Sequence, residues 1–214
     1  MSLKDSLSWR YATKRMTGGK VPQEKVDKIL EAIRLAPTSF GLQPFKVIVI
    51  EDEKLREEIF NTACQQPQIK EASHVLVFAA NKKVTAEQVQ EYMELIATTR
   101  GIPVESLDGF KAMFDGIVAG TAEQNFVWTA RQAYLAFGVG IVAAALERRA
   151  MPPGAGAAFG GHGAPGFGGG GRVQAVAVAV PAALGQGLGH AGVELLLGLA
   201  FGLGHRLGGQ GFAK

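Results

Sequence analysis

Thr121-Ala-Glu-Gln124 has the spacing of a helix-opening capping box, and the sequence that follows it to about Glu147 is apolar around most of a helical circumference. Trp128, Tyr134, Leu135, Phe137, Val139, Ile141 and Val142 do not fall on one stripe. A helix of that kind cannot lie on a solvated surface; it must run through a core or along a subunit interface. A chain of 214 residues has few other elements to surround it. The interface is therefore the expected place.

The elements around it are legible from periodicity. A short helix is expected over residues 3–9. Residues 22–35 put Val26, Ile29, Leu30 and Ile33 at helical spacing, with Pro22 at the first turn and Pro37 as the stop. Phe45 to Ile50 is short and β-branched, which predicts a strand, and His74 to Ala80 predicts a second, buried one. Glu53 to Ala63 reads as a surface helix, and Thr85 leads into another through Ile96. Strands separated by helices predict a layered α/β or α+β fold.

Composition narrows the class of protein. Apolar residues make up 47% and charged residues 19%, a globular balance. The net charge of +3 arises late, because residues 1–150 hold 19 of 22 Lys and Arg against 18 of 19 acids. No basic stripe with interleaved aromatics appears, so a dedicated nucleic-acid binder is not expected. The single cysteine, Cys64, excludes an internal disulfide and suits a reducing cytoplasm. Met-Ser-Leu-Lys-Asp-Ser-Leu lacks a signal-peptide pattern, and no run in residues 1–150 reads as a membrane span.

From Met151 the pattern changes. Residues 151–214 carry 20 of the 29 glycines, one acid (Glu194) and three cations (Arg172, Arg206, Lys214). The absence of a Gly-X-Y period excludes collagen. Only Val173 to Val180 reads as a strand. Three readings compete for this Gly- and Ala-rich segment: a genuine flexible tail, a frame-shifted translation of a GC-rich gene, or a recorded sequence that differs from the protein's own.

Two short segments carry the chemistry. Trp9-Arg10-Tyr11-Ala12-Thr13-Lys14-Arg15 sets three cations after the first helix; bidentate arginines and a point-charge lysine are what a phosphate needs, although a solvated basic cluster has the same composition. Ala36-Pro37-Thr38-Ser39-Phe40-Gly41-Leu42-Gln43-Pro44-Phe45 offers hydroxyls, amides and an amide side chain in one connection. Such a loop can hydrogen-bond a polar ring edge, or be an ordinary helix-to-strand turn. Gln65-Gln66-Pro67-Gln68 adds a second amide cluster. Phosphate-loop and dinucleotide glycine signatures are missing. The four histidines, 74, 162, 190 and 205, lack metal-ligand spacing, and His74 reads as structural. No nucleophile has a paired base.

These segments, with Gln-Gln-Pro-Gln-Ile-Lys-x-Ala-Ser-His and Trp-x-x-Arg-Gln-Ala-Tyr-Leu, resemble the FMN-dependent nitroreductase family, in its oxygen-insensitive NAD(P)H nitroreductase and dihydropteridine reductase branch. The similarity runs in order across residues 1–147. It implies one domain over 1–214 of α+β class: a three-layer α/β/α sandwich on a mostly antiparallel sheet, its long helix at the interface of an intertwined homodimer. It implies FMN as cofactor, NAD(P)H as donor, and a small nitroaromatic, quinone or pterin-like acceptor reduced by a ping-pong route.

By the same resemblance Arg10, Tyr11, Ala12 and Lys14 meet the FMN phosphate, ribityl chain or ring edge, and Pro37, Thr38 and Ser39 line the ring. Gln65 stands where the family has an Asn on the flavin, and Phe114 and Phe40 fall on the substrate side. The chain departs from the pattern in places. Ala12 replaces a common Ser and Phe45 a common Trp. Pro152-Pro153-Gly154-Ala155-Gly156 replaces Pro-x-Glu-Gly-Phe, leaving the Ala155 N–H opposite flavin N5, and a late basic pair is reduced to Arg206. Those departures leave an alternative: a non-catalytic flavin-binding or dimeric interaction protein with a degenerate reductase site.

Overall fold

The computed structural model describes residues 2–10, 15–16, 18–147, 158–159 and 175–180. At its centre Phe45–Ile50 (β1) pairs antiparallel with His74–Ala80 (β2), in a register that sets Phe45 against Ala80 and Ile50 against Val75. Ala175–Val180 (β4) lies parallel to β2, and Ala158–Phe159 (β3) parallel to β4, giving the order β1-β2-β4-β3. The expectation of a mostly antiparallel sheet thus holds for the β1–β2 pair, while the other two described pairings are parallel. The long helix Ala122–Glu147 lies between β2 and β4 in chain order, and crossover connections deliver parallel strands.

The alternation of side chains along β1 and β2 divides the core. Val47, Val49, Leu76 and Phe78 face one side, where they meet Val26, Ile29 and Ile33 of Gln23–Arg34 (α2) and Ala133, Ala136 and Ala144 of Ala122–Glu147 (α8). Ile48, Ile50, Val75 and Val77 face the other, against Ile59 of Glu53–Thr62 (α3) and Ile69 of Pro67–Glu71 (α4). That is a three-layer α/β/α sandwich. Small residues let α8 approach closely: a Cβ on Gly140 would sit 3.0 Å from the Ile33 side chain.

Between β2 and α8 the chain makes a helical excursion: Ala86–Arg100 (α5), a 3₁₀ turn at Val104–Leu107, Asp108–Ala112 (α6) and Asp115–Ala119 (α7). Its own core joins Val84, Val89, Met93, Leu107 and Phe114. Thr85 caps α5 through a box with Gln88, and the helix runs past the expected end at Ile96 until Gly101 adopts φ +64. Asn125 closes the base of the excursion. Its Oδ1 accepts the Val84 N–H at 2.9 Å, and its Nδ2 donates to the Ile117 carbonyl at 2.7 Å.

The capping box at the start of α8 forms as the sequence predicts, with Gln124 N–H on Thr121 Oγ1 at 3.2 Å and Thr121 N–H on Gln124 Oε1 at 3.0 Å. α8 is long and apolar enough to cross a membrane by length and composition alone, a test that core helices also pass, and one face of it packs against α2 and the sheet. The opposite face leaves Val127, Tyr134, Leu135 and Leu146 between 44% and 51% exposed in the single chain. Leu3–Trp9 (α1) packs against α8 and adds exposed Leu3 and Leu7.

Candidate functional site

The connection between α2 and β1 has an unusual backbone. Phe40 (φ 57), Gly41 (φ 72) and Gln43 (φ 49) are all left-handed, a conformation that costs energy at the two non-glycine positions. Two side chains from elsewhere and one of its own hold it. Gln132 Oε1, on α8, accepts the Ser39 N–H at 2.8 Å. Tyr92, on α5, donates its hydroxyl to the Phe40 carbonyl at 2.7 Å. Gln43 Nε2 reaches back to the Arg34 carbonyl at 2.6 Å.

Within this braced loop Thr38 Oγ1 is buried yet has no hydrogen-bond partner. A buried hydroxyl without a partner is costly, so a polar ligand that completes it would be held there. The hydroxyl, the strained loop and the flanking aromatic rings together suit a flat ring with a polar edge, which is the shape and chemistry of a flavin.

The aromatic side of the loop is Phe40, half-buried, whose ring lies 5.0 Å from that of Phe114 and 6.3 Å from that of Phe110. Phe114 itself is 0% exposed and packs among Phe40, Tyr92 and Phe110. Phe40 keeps a partly accessible ring, and Phe114, expected on the substrate side, lies buried behind it in the single chain.

The phosphate-side residues are less fully described. Arg10 is half-buried at the end of α1, its N–H on the Ser6 carbonyl at 3.2 Å. Tyr11, Ala12 and Lys14 lie outside the described residues, as do Ala155, Arg206 and the Gly- and Ala-rich segment around β3 and β4. Arg15 is committed elsewhere, since its Nε and Nη2 both meet Glu71 Oε1 at 2.6 Å while Glu71 Oε2 accepts the Met16 N–H at 2.7 Å. That pairing holds the Glu71 carboxyl below its usual range. Pro37 and Gln65 are exposed, Pro37 in the loop and Gln65 at the turn between α3 and α4.

His74 sits apart from the loop at the head of β2, 3% exposed, with Nδ1 2.8 Å from Ser73 Oγ and Nε2 3.9 Å from Glu51. Ser73 Oγ also accepts the Val21 N–H at 3.2 Å, so the pair ties the entry to α2 onto the sheet. Burial pushes the imidazole below its ordinary value. Among the described residues no group of His, Cys, Asp or Glu is placed to hold a metal ion. Burial likewise pushes the Cys64 thiol up.

Tyr92 and Gln132 are the functional candidates that sequence reasoning missed. Gln132 had a signal, its place in the Trp-x-x-Arg-Gln-Ala-Tyr-Leu segment, and the structure leaves its amide only 5% exposed. Tyr92 had none, because its ring and hydroxyl act across 52 residues of chain.

The chain belongs to the nitroreductase family, whose model matches residues 7–158. Among its relatives, a Staphylococcus aureus protein named as an NAD(P)H nitroreductase is 33% identical over 153 residues, 68% of each chain. The major NAD(P)H-flavin oxidoreductase of Aliivibrio fischeri is 31% identical over 140 residues, 62% of this chain and 64% of that one. A nitroreductase structure from Exiguobacterium sibiricum, solved in complex with FMN, has a TM-score of 0.58 at 21% identity, covering 68% of this chain and 70% of its own. A Bacillus subtilis structure of the same kind gives 0.58 at 19%, covering 67% and 70%. These structural likenesses establish the fold.

Proposed function

We propose that this protein is an FMN-dependent NAD(P)H oxidoreductase that passes two electrons to nitroaromatic, quinone or pterin-like acceptors by a ping-pong route. The observation that carries the reading is the buried, unpartnered Thr38 Oγ1 in a loop whose left-handed turn is braced from α5 and α8. FMN-bound and NAD(P)H-linked relatives support it.

In this reading Pro37, Thr38 and Ser39 line the ring, with Thr38 Oγ1 as the group completed by its polar edge. Arg10, Tyr11, Ala12 and Lys14 would hold the phosphate, the ribityl chain or the ring edge, together with Gln65 and Arg206, and Ala155 would offer its N–H to the ring. When bound, FMN supplies the two-electron chemistry, taking hydride from the nicotinamide and reducing the acceptor. The protein's part is orientation and charge. Lys14 would supply a fixed cation beside the ring, a role for a charge placed where negative charge develops. Phe40 offers an aromatic surface for a planar acceptor, with Phe114 and Phe110 behind it.

The working unit we propose is a cytoplasmic homodimer. The exposed apolar face of α8, with Val127, Tyr134 and Leu135, is what a second copy would cover. Purified protein that holds FMN and oxidises NADH or NADPH with a nitroaromatic or quinone acceptor supports the reading. Bound FMN without turnover would leave a flavin-binding protein, and no FMN uptake would defeat the assignment.

A further inference from the structure

We infer that Tyr92 is a positioning residue for the flavin loop, an inference that rests on the flavin reading above. Its hydroxyl donates to the Phe40 carbonyl at 2.7 Å, at the residue where the loop turns left-handed (φ 57). The fit is reciprocal. A Cβ built on Gly41 would lie 2.6 Å from Tyr92 Oη, so the hydroxyl occupies the space that only glycine leaves, and Gly41 also needs its freedom at φ +72.

The brace has a fixed footing. Tyr92 belongs to α5, whose ring packs at 6.5 Å on Phe110 and 6.3 Å on Phe114. The excursion that carries it is closed at its base by Asn125, which bonds both the Val84 N–H and the Ile117 carbonyl. Burial raises the phenol further above neutrality, so the hydroxyl keeps its proton to donate. Tyr92 therefore sets where Thr38 and Ser39 stand, two and one residues before the braced carbonyl, without itself touching the ring.

The test compares full-length wild type, Tyr92→Phe, Gly41→Ala and the double variant. The readouts are FMN affinity by fluorescence quenching, the visible circular dichroism of bound flavin, and apoprotein melting. Tyr92→Phe keeps the ring packing and removes one hydrogen bond, so FMN binding should weaken about 3- to 10-fold and the flavin dichroism should change, with melting nearly unaltered. Gly41→Ala should do more harm in wild type than in the Tyr92→Phe background, where the opposing hydroxyl is gone. Wild-type affinity and dichroism in Tyr92→Phe, in a protein that binds FMN, would overturn the positioning role alone. A melting loss with flavin properties intact would reduce Tyr92 to a packing residue and overturn it too. Wild type that takes up no FMN would overturn both this inference and the reading beneath it.

Discussion

Gln132 and Ser39 are joined by a hydrogen bond of 2.8 Å that ties the buried face of the longest helix to the loop proposed to hold the cofactor. Gln132 spends its amide twice, since Nε2 also donates to the Trp128 carbonyl one turn earlier at 3.2 Å. Gln132→Leu conserves volume but strands the Ser39 N–H. An unpaired group there should lower stability by about 1–3 kcal/mol. The urea midpoint should fall with its slope unchanged, and FMN affinity should fall with it. A stability loss with undiminished FMN binding would detach Gln132 from the site.

Arg56 is the corresponding brace on the other face of the sheet. It is 8% exposed, with Nη1 on the Lys70 carbonyl at 2.5 Å and on the Ala72 carbonyl, and Nε on the Glu51 carbonyl at 3.3 Å. It thereby fastens α3 to the segment that enters β2. Arg56→Ala should cost about 2–3 kcal/mol in denaturant unfolding, and Arg56→Lys should restore little, because one ammonium cannot reproduce the fork. Full stability in the lysine variant would contradict the clamp.

His74 gives the fold a pH dependence of defined sign. Burial lowers the folded imidazole, neighbouring Glu51 opposes that, and Arg56 and Lys20 add to it. The unfolded chain takes up its proton near about pH 6.5, so below that value the unfolded state binds more protons than the folded one. The contribution is complete above the unfolded value and is lost as pH falls toward the depressed folded one. From about pH 7.5 to about pH 5.5, wild type should therefore lose more stability than His74→Gln. Parallel losses in the two proteins would remove His74 from the account.

The exposed face of α8 predicts assembly. Leu135 is 51% exposed and Val127 equally so, on a helix with an otherwise buried opposite side. Sedimentation should find a dimer for wild type, and Leu135→Glu should shift it toward monomer, since a charge forced into an apolar interface is left without a partner. A monomeric wild type would contradict the proposed dimer.

Local signals made much of this fold legible. β1 and β2 were readable to the residue because their apolar runs end at turn residues, and Thr121 announced α8 through a capping box, whereas the box at Thr85 shows only in the structure. The three helices of five residues, α4, α6 and α7, were not, since so short a segment carries no helical period. The site divided in the same way. The loop at Pro37, Thr38 and Ser39 stood out by composition, but the left-handed turn at Phe40 and its braces at Tyr92 and Gln132 depend on partners 52 and 93 residues away. Phe114 was legible as an aromatic near the site, but its complete burial depends on how Tyr92 and Phe110 pack around it.

The most direct test of the central claim is an FMN titration of the purified, flavin-stripped protein, followed by addition of NADH or NADPH. The account predicts saturable uptake of about one flavin per chain, with bound absorbance that bleaches when the nicotinamide is added and returns with a quinone or nitroaromatic. Protein that stays colourless at saturating FMN would contradict it.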